Sequence, residues 1–157
     1  MKITELTEDS VGHFSEKLQQ LIMETVNMPI EAKHHFQRQW SEKSLKEQIG
    51  KWVFLLAKND QNEILGLLLG TPCEGGVGTI VWVLVDKRKQ REGLGKQLFE
   101  KAIDFYIKMG AHKIKLTVPE EKTVAFYQKQ GMIVEGHHPK HWWNHDFWSM
   151  GIVLTKD

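Results

Sequence analysis

The sequence predicts an α/β (α+β) domain, with helices flanking a central mixed sheet. Three observations carry this. Short runs of β-branched and apolar residues, bounded by turn residues, recur along the chain as strands do. Between them lie stretches whose apolar residues return every three or four positions, as amphipathic helices require. The order is strand, two helices, three antiparallel strands, helix, strand, helix, two strands, which interleaves both kinds in one sheet-centred unit. The chain has 157 residues, 41% of them hydrophobic and 26% charged. Residues 1–157 are therefore expected to form a single domain with an ordinary buried core.

Lys2 to Leu6 reads as the first strand. Asp9 and Ser10 are candidate caps for a helix whose face is Phe14, Leu18, Leu21, Ile22 and Val26, ended by Pro29. A second helical region covers about Glu31 to Ile49, with Phe36, Trp40, Leu45 and Ile49 inward and Gly50 as its stop. Trp52 to Lys58 and Glu63 to Thr71 are strands joined by Asn59-Asp60-Gln61-Asn62, a hairpin composition. Pro72 to Gly78 is a loop and Thr79 to Val85 a fourth strand. Leu94 to Met109 is an amphipathic helix closed by Gly110. Lys113 to Val118 is a strand, Pro119 and Glu120 open a helix to Gln130, and Gly131 ends it. Met132 to Gly136 and Phe147 to Leu154 are the last strands, separated by the His- and Trp-rich segment 137–146.

Composition excludes several classes. A net charge of +1 argues against a general nucleic-acid binder. No apolar run is long enough to span a bilayer, and the first residues do not resemble a signal peptide. Cys73 is the only cysteine, so no intrachain disulfide can form. A soluble, cytoplasmic protein is expected. Cys73 lies in a polar Gly-rich loop with no evident base beside it, and reads as an incidental thiol.

The most informative stretch is VLVDKRKQREGLGKQLF, residues 83–99. A strand ends at Val85, a basic glycine turn follows, then a helix. That arrangement builds an anion cradle, because glycines admit close approach and the first amides of a helix are unpaired. A dinucleotide fingerprint needs a third glycine where Leu98 stands, and a P-loop needs Ser or Thr where Gln97 stands. What remains is Gln90-Arg91-Glu92-Gly93-Leu94-Gly95, directly after a strand.

This motif resembles the acyl-CoA cradle of the GNAT superfamily of N-acetyltransferases. Downstream, Phe126-Tyr127-Gln128-Lys129-Gln130-Gly131-Met132 looks like that family's second signature, and the element order matches over nearly the whole chain. The resemblance implies a GNAT fold: a mixed, mostly antiparallel, twisted sheet of about seven strands, about four flanking helices and a splayed cleft for acyl-CoA. It implies that Val83 and Val85 pair with the pantetheine arm like an added strand. Gln90, Arg91, Gly93, Leu94, Gly95 and Lys96 would form the pyrophosphate cradle, with backbone amides of Arg91, Gly93, Gly95 and Lys96 as donors. Lys87, Arg88, Lys89, Arg91 and Lys96 would add positive potential, though some of these side chains are expected to be solvated only. Acetyl-CoA is the implied co-substrate and an amine the acceptor, with no metal.

For the chemistry, Tyr127 stands where the family commonly places its general acid. A phenol suits protonation of a departing thiolate; the plainer reading is packing, as for Phe126. A backbone amide near Val85 is the expected oxyanion donor. The sequence departs from the pattern where many relatives carry a glutamate base: Thr79 to Val85 has no carboxylate. Glu120 replaces a common asparagine, Arg91 a common glycine and Met132 a common phenylalanine. The missing carboxylate keeps a non-catalytic acyl-CoA-binding module as the alternative.

The segment with His137, His138, His141, Trp142, Trp143, His145 and Asp146 is expected on the acceptor side. It admits three readings: an acceptor lip with a histidine or Asp146 as base, a metal site from His137, His141 and His145, or plain packing. Pro139 and the hairpin argue against metal. The aromatic pair before an acidic residue is also similar to relatives that acetylate peptide or protein N-termini. His34, His35, Phe36 and Trp40 could supply the opposite wall. The exposed final strands could pair between subunits, making a homodimer.

Overall fold

The computed structural model describes residues 1–154. Seven strands form one sheet: β1 (Lys2–Glu5), β2 (Val53–Lys58), β3 (Ile64–Gly70), β4 (Val77–Val85), β5 (Lys113–Val118), β6 (Ile133–His138) and β7 (Phe147–Val153). Their spatial order is β1-β2-β3-β4-β5-β7-β6. All neighbours are antiparallel except β4 and β5. The fold class and the mostly antiparallel mixed sheet are as the sequence predicts. β7 lies between β5 and β6, so of the two final strands only β6 offers a free edge.

Five α-helices cover the sheet: α1 (Val11–Thr25), α2 (Ile30–Gln39), α3 (Glu42–Gln48), α4 (Leu94–Lys108) and α5 (Glu121–Lys129). The expected second helical region is two helices rather than one. It breaks at Trp40 and Ser41, where the Ser41 side chain accepts the Ser44 amide and starts α3. The break turns Trp40 into the core against Trp52 and Phe54. At the start of α1, a 3-10 turn over Glu8–Ser10 comes first, closed by reciprocal Thr7 and Ser10 bonds. Asp9 makes no cap.

The core has two layers, one on each face. Phe14, Leu18, Leu21 and Ile22 of α1 bury against Phe54, Leu56, Leu67 and Leu69. Leu94, Leu98, Phe99, Ala102 and Tyr106 of α4 bury against Leu55, Leu65, Leu68 and Ile80. At roughly 1.5–3 kcal/mol for each large apolar side chain, these layers are the main source of stability. The Tyr106 ring fills the space above Gly70 and Gly78, where any Cβ would meet it at 2.2 Å. Its hydroxyl donates to the Thr71 carbonyl at 2.7 Å, tying α4 to the end of β3.

β4 positions the site. Its parallel pairing with β5 covers only Val77, Gly78 and Thr79; beyond Thr79 the strands diverge. On its other side β4 stays paired with β3 to Val85, with a bulge between Trp82 and Ile80 that leaves Val81 unmatched. A bulge bends a strand and increases its local twist. The sheet therefore opens into a wedge whose one wall is the second half of β4.

Candidate active site

The wedge holds two cavities, divided along β4. Val83, Leu84 and Val85 line one of about 450 Å³. Thr79, Ile80, Val81 and Trp82 line the other, of about 430 Å³.

The Val85 cavity collects Val83, Val85, Gln90, Arg91, Gly93, Leu94, Gly95, Lys96 and Tyr127 together. The local geometry explains why. The Asp86 amide donates to the Leu65 carbonyl, so with the β3–β4 register the backbone groups of residues 82, 84 and 86 face β3. Those of Val83 and Val85 alternate outward into the wedge. One is partly engaged already: the Gln90 side chain donates to the Val85 carbonyl at 3.2 Å. At the start of α4 the first amide paired within the helix is Gln97, to Gly93. The amides of Leu94, Gly95 and Lys96 are thus free to meet an anion, and no side chain caps them.

Gly93 holds φ +83°, the left-handed conformation that turns the chain into α4. An added Cβ would meet no protein atom within 4 Å, so what the protein itself requires of glycine there is the backbone angle. Gly93→Ala is expected to weaken coenzyme A binding about tenfold by straining the cradle, at roughly 1–2 kcal/mol. Calorimetric titration with coenzyme A checks this; unchanged affinity would show that the turn geometry is not limiting.

The basic run divides in its roles. Lys89, Arg91 and Lys96 line the cavity, but Arg88 turns away to Asp86 and Glu63. Lys122 on α5 lines it too, a contribution that sequence reasoning missed because it lies far along the chain. Glu120 is not in the lining; it pairs with Lys122 at 3.1 Å.

Behind the turn lies a device that no motif announced. Lys17 of α1 and Asp86 form a buried ion pair at 2.7 Å. Asp86 also accepts the Arg88 amide, capping the 3-10 turn Lys87–Lys89 that leads into the cradle. The Arg88 guanidinium, and then the Lys17 ammonium, hold the Asp86 carboxyl well below the usual carboxylate range against its own desolvation. The loop is thereby pinned to both α1 and β3.

Tyr127 is almost fully buried, its ring set against Phe99 at 5.6 Å and Phe126 at 4.9 Å. Burial pushes its phenol above the ordinary range. It therefore stays protonated at any physiological pH, as a proton donor must.

The second cavity is aromatic. His35 and Phe36 from α2, Trp82 from β4, and Trp142, Trp143 and Phe147 from the last hairpin line it. Phe36 packs on Trp82 at 5.0 Å and on Trp143 at 5.2 Å. The expected acceptor lip and its opposite wall thus come together through Trp142, Trp143, His35 and Phe36. Trp40 is withdrawn into the core and His34 is not in the lining.

The base candidates fare differently. His137 pairs with Asp146 at 3.0 Å and stacks on Trp148. His138 meets Ser149, and the His145 Nε2 donates to the Pro119 carbonyl. The Lys140 amide, then His137, hold the Asp146 carboxyl below its ordinary range. His141 packs beside Trp142. None of these five lines the cavity. The regular spacing of His137, His141 and His145 falls across a hairpin, which scatters the three rings. Among the described residues no group of three or more His, Cys, Asp or Glu side chains could hold a metal ion.

A family model described as the acetyltransferase (GNAT) family matches residues 16–132. The chain belongs to the GNAT family. No curated protein sequence matches it. Solved GNAT structures share the fold at low identity. An acetyltransferase of the family from Streptococcus pneumoniae superposes with a TM-score of 0.78 at 22% identity, covering 98% of this chain and 99% of that one. PaiA N-acetyltransferase from Thermoplasma acidophilum, in complex with coenzyme A, gives 0.80 at 18% identity, with 97% and 98% covered. The ribosomal-protein-S18-alanine N-acetyltransferase from Escherichia coli gives 0.77 at 18%, with 99% and 95% covered. As a GNAT member the chain is an N-acetyltransferase with acetyl-CoA as donor. No helix among the described residues is long and apolar enough to cross a membrane.

Proposed function

We propose that this acetyltransferase moves the acetyl group directly from acetyl-CoA to a primary amine, with Val83, Val85, Gln90, Arg91, Gly93, Leu94, Gly95 and Lys96 holding the donor and Tyr127 as general acid. The observation that carries this reading is that one cavity brings together the whole cradle and Tyr127. The free amides at the start of α4 suit a pyrophosphate, and the unpaired wall of β4 suits an extended amide-bearing arm. A ligand that crosses the Val83 boundary along β4 passes from the first cavity to the second. There an amine can approach it from the aromatic side.

The division of labour follows from the chemistry. The neutral amine nitrogen forms a bond to the thioester carbonyl carbon. The outward amide of Val85 supports the charge that develops on the carbonyl oxygen. As the carbon–sulfur bond breaks, Tyr127 gives its proton to sulfur, and the new amide loses its surplus proton to a base or to water. No side chain of β4 is a carboxylate, so no fixed acidic base serves that strand. No nucleophile with a partner base lies in either cavity, which favours direct transfer over an acyl-enzyme.

Release of free thiol from acetyl-CoA, measured across a panel of amines, tests the reading. Amine-dependent thiol release with a stoichiometric acetylated product is expected. Tight coenzyme A binding with no turnover on any amine would leave only an acyl-CoA-binding module.

A further inference from the structure

The acceptor cavity contains no carboxylate. Phe36, Trp82, Trp142, Trp143 and Phe147 make its walls, Gln39, Thr79, Thr117 and the indole nitrogens carry its uncharged polar atoms, and His35 is its one ionisable group. We propose that the acceptor is a hydrophobic monoamine: a primary amine on an aryl-type skeleton with no second charge. This rests on the N-acetyltransferase reading above and names the substrate class of the same site.

Charge decides against the polycations. A polyamine or an aminoglycoside would bring several ammonium groups into an apolar space, and each needs a partner carboxylate to offset its lost hydration. Here none is available. A monoamine brings one nitrogen, and that nitrogen must be neutral to react. Apolar walls favour the neutral form of an amine. The same feature that excludes polycations therefore assists the chemistry, and it accounts for a working site without a carboxylate on β4.

Shape decides for a flat skeleton. The volume of about 430 Å³ is that of a small-molecule site. Trp143 is held at φ 53° and ψ 34°, a left-handed conformation that a bulky residue adopts only under constraint. Lys140 and Asn144 beside it are also left-handed. The constraint comes from Asp146, which accepts the Lys140 amide, and from the His141 amide donating to the His145 carbonyl. This closed turn sets the Trp143 ring against His35 at 5.4 Å and Phe36 at 5.2 Å. The result is a half-open aromatic cleft, with Trp142 and Trp143 at its mouth. A peptide N-terminus could lay its own backbone along the β4 edge left unpaired beyond Thr79, and it is the competing occupant that the tetrapeptide below tests.

The test compares 2-phenylethylamine and tryptamine with spermidine, kanamycin and a tetrapeptide carrying a free N-terminus. Thiol release and direct calorimetric binding in the presence of coenzyme A are both measured. The monoamines are expected to exceed spermidine in kcat/KM by about 100-fold or more. Trp143→Ala should lower kcat/KM for the monoamines about tenfold, mainly through KM. Gln39→Glu should shift the spermidine-to-monoamine ratio upward by roughly tenfold, since it places a carboxylate in the cleft. Preferred acetylation of spermidine, kanamycin or the peptide overturns the assignment, as does the absence of saturable monoamine binding. Monoamines that bind without thiol release from any amine would instead sink the transfer chemistry and leave the cleft's specificity standing.

Discussion

Tyr127→Phe is expected to lower kcat by about 10²–10⁴ and to leave coenzyme A affinity intact. The substitution removes one oxygen and keeps the ring, so the contacts to Phe99 and Phe126 persist. Desolvation alone raises the phenol, and no hydrogen bond contributes to the shift. Its loss therefore leaves no protein partner unsatisfied, and stability should change by less than about 1 kcal/mol. That separation is useful: a kinetic loss without a fall in Tm assigns the effect to proton transfer. Single-turnover measurement of thiol release isolates the step. An unchanged kcat would reduce Tyr127 to a packing residue and require water to protonate the thiolate.

The second large effect concerns stability. Asp86→Ala is expected to cost about 3–5 kcal/mol, because it strands the buried Lys17 ammonium. For a chain of this size that is a fall in Tm of roughly 6–20 °C. Arg88 is mostly exposed and regains water, so Lys17 carries most of the penalty. Replacing both partners, as Lys17→Met with Asp86→Leu, should recover much of the loss, since an apolar pair needs no compensation. The pH dependence has a definite sign. The folded pKa of Asp86 lies below its unfolded value, so its contribution is complete above about pH 5. It is lost as pH falls from about 4 through the folded pKa. The stability gap between wild type and Asp86→Asn should therefore be constant near neutrality and shrink in acid. A gap that widened in acid would mean that the carboxyl is not the stabilised group. Because Asp86 also caps the turn before the cradle, Asp86→Ala should weaken coenzyme A binding even well below its Tm.

What could be read from the sequence was local. The turn from Val85 to Leu94 was legible because glycine, strand and helix signals follow one another within a dozen residues. Tyr127 was legible through the stretch that ends at Gly131. The break at Trp40 was not, since an aromatic residue at helical spacing looks the same whether the helix continues or ends there. Nothing in the sequence singles out Lys17, because its partner lies 69 positions away. The roles of the histidines depended on the hairpin that spreads them, and no periodicity encodes a hairpin's twist. A splayed cleft was expected through the family resemblance alone; its causes, pairing that stops at Thr79 and a bulge at Val81, carry no sequence signal.

That bulge changes the arithmetic of β4. In an unbroken strand Val81 would share a face with Val83 and Val85. Instead Val81 and Trp82, consecutive in sequence, both pack toward α1 and α2, while Ile80, Val83 and Val85 pack toward α4. One surplus residue thus resets the parity of the strand between donor and acceptor sites. The length of β4 is therefore a counted quantity: removing Val81 would leave Ile80, Trp82, Val83 and Val85 on the faces they already occupy, in strict alternation, but would take away the bend that opens the wedge.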